Sequence, residues 1–497
     1  MVTTSVSPYD GRERGEVADS TPDEVADAVR RAAAAAAQVA LTDPAVRRDW
    51  LDAVATTLEQ HSDELVALAD EETALGETRL TGEVARTAGQ LRFYADVARE
   101  GSYLGVAIDR PTPTAPRLVR VNEPLGPVAV FGASNFPFAF SVLGNDTASA
   151  LAAGCPVVVK AHPAHVRLSH RLAELATKAL AEAGAPEGTF ALVSGHQAGV
   201  DLVTAEEIAA VAFTGSQQGG LALWRLANER AHVVPVFAEM GTVNPVVVTP
   251  AAASRLPEAA AGFVGSFTLG HGQFCTKPGL LLAPAGHDAA RLVADALTAA
   301  APAPVMLTAP IAKAVAVGVE DLVHAGATVV GEVPAGTEGF AAPAVVLAAR
   351  ADALVPGSRL LEECFGAVAL VVEYDGTDEL RRVLDVLQGS LAGTLIAASE
   401  HPAEDPDAPW LVRTLAGQVG RVTVGDWPTG VAYTWAQQHG GPWPATSAPA
   451  ATSVGAAALD RFVRPVAYQS VPDAWVPPAG QDANPWGVPR RVDGVRS

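Results

Sequence analysis

Between Thr21 and Gly101, Ala, Leu and Val recur at three- and four-residue intervals among Glu, Asp and Arg. That spacing gathers the apolar side chains on one stripe of a helix, so the stretch predicts several helices packed on a common core. Prolines then break the period in IDRPTPTAPRLVRVNEPLG, where Leu118 to Val121 alternates apolar and basic residues and predicts an extended excursion or hairpin. From Gly126 the texture changes to short apolar runs that lead into helical stretches. These are PVAVFGA, a helix through Asp146 to Ala153, CPVVVKAHP, a helix over Leu168 to Ala183, TFALVSG, and IAAVAFTGS before a further helix. Buried strands alternating with helices are what a parallel sheet covered on both faces requires, so the predicted fold class is α/β with a doubly wound sheet. A second series of apolar strands and helices, from near Asn244 to about Val424, predicts a second α/β domain. The tail beyond Asp426 is rich in Gly, Pro and Trp and predicts only short regular segments.

Composition narrows the partners. A chain of 497 residues exceeds one simple core, and 49% hydrophobic with 18% charged residues is a globular balance. The formal charge of −21 repels phosphate backbones and anionic lipid, and no basic patch offsets it, so neither nucleic acid nor a membrane surface is an expected partner. Three cysteines, Cys155, Cys275 and Cys364, form no disulfide framework and fit a reducing cytoplasm. The opening MVTTSVSPYDGRERGE has no basic segment followed by an apolar one, and no apolar run reaches bilayer length, so a cytoplasmic location is expected.

Four short segments carry candidate chemistry. In AFTGSQQGGLALW an apolar strand runs into Gly215, Ser216 and Gly219 before a helix starts, which offers backbone N–H groups at the positive end of a helix dipole. The spacing departs from the G-x-G-x-x-G fingerprint, and a glycine in such a turn also serves simply to close it. In GQFCTKPG, Cys275 lies among small and polar residues, unlike Cys155 in the strand-like AAGCPVVV and Cys364, which fit inert buried thiols, so a substrate can approach it closely. In PVFAEMGTVNP, Glu239 ends an apolar strand beside a turn, where a carboxylate is placed as a partly desolvated base. In FGASNFPF, Asn135 is either a turn former or a side-chain donor to an oxyanion.

Asn135, Lys160, Glu239, Cys275 and Glu363 stand in the order and at about the spacing found in the aldehyde dehydrogenase superfamily, which the chain resembles over nearly its whole length. Within it the chain is most similar to the α-ketoglutarate semialdehyde (2,5-dioxopentanoate) dehydrogenases, through RTAGQLRFYADVAREGS, GPVAVFGASNFPFAFS, CPVVVKAHPAH, MGTVNP, GQFCTKPG, HGGPWPAT, TSVG and RFVRPVAYQ. The resemblance implies an aldehyde dehydrogenase-like fold: a Rossmann-type NAD(P)-binding domain over 1–106 and 125–241, an α/β catalytic domain over 242–440, and a small β oligomerisation element over 107–124 and 460–475. It implies oxidation of a small semialdehyde with NADP or NAD. The Cys275 thiolate attacks the aldehyde, Asn135 and the Cys275 N–H hold the oxyanion, hydride leaves to give a thioester, and Glu239 activates the hydrolytic water. Lys160 would then meet the adenosine ribose, Ser216 the pyrophosphate and Glu363 the nicotinamide ribose, with Phe365 beside the ring and Gly215, Gly219, Phe131 and His162 completing the cofactor set. Arg86 and Gln90 on one helix face, with Phe136 and Phe140, would line the aldehyde tunnel, Arg86 binding a substrate carboxylate or standing as an exposed helix charge.

The chain also departs from the family pattern. Ala367 follows Phe365 and Gly366 where proline is common. Pro163 replaces an acid that repels a 2′-phosphate, while Ala198 stands where the branch places an arginine, so Arg167 or His162 would have to substitute for NADP. Neither cofactor is therefore preferred from sequence. A cysteine hydrolase or acyltransferase, a dehydrogenase of a specialised biosynthetic route acting on another aldehyde, and a noncatalytic family member are the alternatives. By resemblance, Leu118 to Val121 and Val463 to Tyr468 join subunits into a homodimer or homotetramer.

Overall fold

The computed structural model describes residues 1–401 and 403–496. Four helices fill the amino-terminal section: Pro22–Leu41, Pro44–Gln60, Ser62–Thr73 and Glu77–Glu100. The first is launched by a capping box, in which the Thr21 hydroxyl accepts from Glu24 N and the Glu24 carboxylate accepts from Thr21 N. The last is stopped by Gly101 at φ 82°, a conformation that favours glycine.

A five-stranded parallel sheet follows, with the spatial order Phe190–Val193, Val157–Lys160, Val128–Phe131, Ala210–Gly215, Val236–Met240. Its strands alternate between two buried faces. Val128, Val130, Val157 and Val159 join one core with the helices Pro44–Gln60 and Val166–Glu182, while Ala129, Phe131 and Val158 join another with Pro22–Leu41 and His196–Thr204. Burying each such side chain contributes roughly 1.5–3 kcal/mol, which is why these strands read as unbroken apolar runs. Strand order reverses between Val128–Phe131 and its two neighbours, and in doubly wound sheets a ligand crevice opens beyond the carboxyl ends at that point.

The second sheet has seven strands in the order Thr328–Val333, Ala344–Arg350, Val368–Tyr374, Leu280–Pro284, Pro245–Val248, Ser390–Ile396, Val419–Val424, the first antiparallel and the rest parallel. It too is covered on both sides, with Val247, Leu280 and Leu282 facing one core and Val246, Leu281 and Ala283 the other. A third sheet pairs Leu118–Pro124 with Val463–Gln469 on one side and with Val106–Asp109 on the other, and Arg490–Val492 extends it beyond Val106–Asp109. Among the described residues no helix is long and apolar enough to cross a membrane.

Candidate active site

A cavity of about 1050 Å³ opens over the carboxyl ends of the five-stranded sheet. Gly132 to Asn135 reach it from beyond Val128–Phe131, His162 from beyond Val157–Lys160, Gly215, Ser216 and Gly219 from the end of Ala210–Gly215, and Glu239 from Val236–Met240. Cys275, Glu363 and Phe365 close it from the side of the seven-stranded sheet. The two α/β layers therefore meet where the sequence motifs converge.

The loop before Cys275 is held by backbone shape. Gly270, His271 and Gly272 all have positive φ, and a side chain on Gly272 would strike the Gly366 backbone. Beyond it, Gln273 accepts from Leu307 N at 3.1 Å, and Asn244 places its amide nitrogen 2.8 Å from Cys275 O and 3.0 Å from Lys277 O. Asn244, itself at φ 52°, also accepts from Ala392 N, so one buried amide ties the cysteine loop to the central sheet. Cys275 stays half-buried, whereas Cys155 and Cys364 are sealed in the core and burial raises both thiol pKa values, Cys155 to about 11.

Opposite Cys275 the segment from His439 to Val454 passes alongside the edge strand Val236–Met240, with Met240 N donating to Ala445 O and Ala238 N to Ser447 Oγ. It delivers His439 and Ser453 to Glu239. His439 Nε2 lies 2.8 Å from Glu239 Oε1 and 3.6 Å from Cys275 Sγ, and Ser453 Oγ donates to Glu239 Oε2. Ligand atoms of Glu239, Cys275 and His439 lie within 4.8 Å of one another. Burial works against charge on His439, but the Glu239 carboxylate and the Cys275 sulfur outweigh it and push its pKa up to about 10. Sequence reasoning assigned no role to either tail residue, although HGGPWPAT and TSVG contain them.

Asn135 lines the same cavity and donates from Nδ2 to Gln273 O at 2.7 Å, which brings its amide to the cysteine loop. Behind it lies an aromatic nest. Phe136 packs edge-on against Phe140 and Phe274, with centroids 5.4 and 5.0 Å apart. The Arg86 guanidinium stacks 5.0 Å from the Tyr433 ring and 5.7 Å from both Phe136 and Phe140, and Nη2 donates to Val431 O. Arg79 stacks on Phe136 and Phe274 and donates to Asn135 O at 2.6 Å. The buried Nε of Arg86 and Nη1 of Arg79 have no partner among the described residues. Arg86 is thus no exposed helix charge. Gln90 is fully buried and braces the nest, donating to Ala139 O and the Tyr433 hydroxyl, and none of Arg86, Gln90, Phe136 and Phe140 lines the cavity itself. Arg79, Phe274 and Tyr433 escaped the sequence reading. The signal for Arg79 was its place on the Glu83, Arg86 and Gln90 stripe, at three- and four-residue steps.

On the nucleotide side, Ser216 caps the helix Gln217–Asn228 by accepting from Gly219 N at 3.1 Å, so that amide is already spent. Glu363 lies against Gly241, where a side chain would collide with its Oε2, and its buried Oε1 has no partner among the described residues. Burial pushes the Glu363 carboxyl up to about 7 against the pull of Lys277 and Arg359. Phe131 and Lys160 pair across neighbouring strands beside Gly199 rather than lining the cavity itself. Arg167 is paired with Glu71 at 2.6 Å and does not line the cavity, whereas His162 does, and burial holds its pKa well below the usual value.

Residues 2–442 match the aldehyde dehydrogenase family. The chain belongs to that family. This aldehyde dehydrogenase is an oxidoreductase acting on aldehydes with NAD(P). It is 45% identical over 462 residues to alpha-ketoglutaric semialdehyde dehydrogenase 2 of Azospirillum brasilense, covering 90% of this chain and 87% of that one. It is 39% identical over 488 residues to alpha-ketoglutaric semialdehyde dehydrogenase of Acinetobacter baylyi, covering 96% and 92%. Its fold matches the gamma-glutamyl-gamma-aminobutyraldehyde dehydrogenase of Burkholderia cenocepacia with a TM-score of 0.81 at 24% identity, covering 94% of this chain and 92% of the other. The residues present fit the dinucleotide: a roomy crevice at the switch point, a glycine-flanked helix start and an unpartnered buried carboxylate at Glu363.

Proposed function

We propose that this aldehyde dehydrogenase oxidises a small aldehyde bearing a carboxylate at its far end, α-ketoglutarate semialdehyde being the first substrate to test. The observation that carries this reading is the pair of guanidiniums, Arg79 and Arg86, each with an unpartnered nitrogen and packed on Phe136, Phe140, Phe274 and Tyr433 behind Asn135. A guanidinium offers a paired hydrogen bond to a carboxylate while the aromatic walls exclude water. The names of the Azospirillum and Acinetobacter relatives support the same substrate.

Cys275 is the nucleophile. Its thiolate attacks the carbonyl carbon, and the Asn135 amide, turned from Gln273 O, holds the resulting oxyanion with the Cys275 N–H. NAD(P), when bound, would supply the acceptor for the hydride. Glu239 then takes a proton from the water that attacks the thioester, and the carboxylate product leaves with the sulfur again free. Glu363 would hold the nicotinamide ribose, Ser216 the pyrophosphate and Lys160 the adenosine ribose, with Phe365, His162, Gly215, Gly219 and Phe131 completing the cofactor set. The cofactor-binding unit comprises 1–106 and 125–241, the catalytic unit 242–440, and the element 107–124 with 460–475 joins copies into a dimer or tetramer in the cytoplasm.

The test is a screen of aldehydes of matched length, with and without a terminal carboxylate, against NAD and NADP. Carboxylated substrates should give the highest kcat/KM, and Cys275→Ala should abolish NAD(P)H formation. Turnover by Cys275→Ala, or a uniform preference for neutral aldehydes, would overturn the reading.

A further inference from the structure

Among the described residues, His439 is the imidazole that lies against both the sulfur and the carboxylate of the site. Its Nε2 is 3.6 Å from Cys275 Sγ and 2.8 Å from Glu239 Oε1, while its buried Nδ1 has no partner among the described residues. All of the ring's side-chain contacts to polar groups thus pass through a single nitrogen. His439 N and O are both fastened to Thr452 Oγ1, and the neighbouring Ser453 completes the second Glu239 oxygen, so the ring is set by the same strand-like tail that sets the acid. The ring is 1% exposed, too deep for a solvated surface histidine.

We propose that His439 is the acid–base partner of Cys275, a third catalytic residue standing between nucleophile and general base. The proposal rests on Cys275 being the nucleophile. With the neutral ring protonated at Nδ1, the S–H bond breaks and its proton passes to Nε2, leaving a thiolate and an imidazolium whose Nε2–H lies between Cys275 Sγ and Glu239 Oε1. When the sulfur attacks the aldehyde, its electron pair forms the C–S bond and the carbonyl pair moves to oxygen, so the imidazolium keeps its proton. When hydrolysis later breaks the C–S bond, that pair returns to sulfur, and the same imidazolium receives the leaving thiolate. Glu239 therefore acts twice, as counter-ion to the ring and as base toward water, and Ser453 holds its other oxygen in place for the second task. The remaining charges facing this trio are Arg421, from Val419–Val424, toward the sulfur, and Asp146, from Asn145–Ala153 and itself paired with Arg461 at 2.8 Å, toward Glu239. Neither replaces the imidazole: Arg421 donates to Gly430 O and Pro428 O, and Asp146 is held by its own partner.

The experiment is alkylation of the free enzyme by iodoacetamide from mildly acidic to mildly alkaline pH, without substrate or cofactor, followed by mass analysis of the Cys275 peptide. Cys275→Ala supplies the blank. The wild type should be alkylated at nearly constant rate across this range. In His439→Gln and His439→Asn the rate should climb with pH as for an ordinary thiol, falling about tenfold below wild type in mild acid and recovering in alkali. A purely structural role for His439 would change the rate at every pH alike. Superimposable profiles overturn the proposal. So does a wild-type rate that itself climbs like a free cysteine, a result that decides the matter even if both variants fail to fold. Turnover by Cys275→Ala, in contrast, would remove the nucleophile assignment while leaving the thiol–imidazole comparison intact, so the two failures are distinguishable.

Discussion

Glu363 links protonation to cofactor binding. Its carboxyl titrates near 7 in the fold against an ordinary value of 4.5, because burial disfavours the charged form. Accepting a hydrogen bond from a ribose hydroxyl favours the carboxylate, so NAD(P) should bind more weakly as pH falls through about 7, and Glu363→Gln should flatten that dependence; calorimetric titrations on either side of this value check it. The same shift has a sign for stability. Between 4.5 and about 7 the folded protein holds a proton that the unfolded chain has lost, so this group's contribution declines as pH rises through that window. Arg86 gives a second test. Arg86→Ala should raise KM for a carboxylated aldehyde roughly tenfold or more, the magnitude of a lost charge-assisted pair, with a much smaller change for a neutral aldehyde of equal length. Cys275, Glu239 and Asn135, which small and apolar neighbours set apart in the sequence, line one cavity. Sequence reasoning passed over His439 and Ser453 because their role comes from a tail that folds back about two hundred residues away from Glu239, and no periodicity encodes such an approach.

Among elements, the turn from Val236–Met240 into Pro245–Val248 ties the cysteine loop to the seven-stranded sheet. Asn244 donates to Cys275 O and Lys277 O and accepts from Ala392 N, from a left-handed conformation that asparagine tolerates. Asn244→Ala should cost about 2–4 kcal/mol by leaving several buried backbone groups unpaired, read as a lower urea midpoint, and should lower kcat with little change in cofactor Kd. The buried strands were legible because both faces are apolar, and the helix expected over Leu168 to Ala183 is found at Val166–Glu182. The hairpin Val2–Val6 with Glu13–Ala18 was not expected. Its residues are mostly half-buried or exposed and offer almost no apolar alternation, so its pairing comes from contact with the rest of the molecule.

For the molecule as a whole, two sheets are covered on both faces, and a third is closed by distant sequence. The apolar-and-basic alternation at Leu118 to Val121 did foretell a strand, found at Leu118–Pro124, but nothing local foretold that Arg490–Val492 would pair beside Val106–Asp109. Removing residues 473–496 should bare the Val106–Asp109 edge, lowering Tm and increasing light scattering on heating, while an unchanged scattering curve would show the edge to be harmless. The same pairing bears on biosynthesis. A ribosome releases Val106–Asp109 long before it has made Arg490–Val492, so the nascent chain carries an open backbone edge through most of translation, a stretch in which a chaperone that shields extended segments has its best opportunity to act.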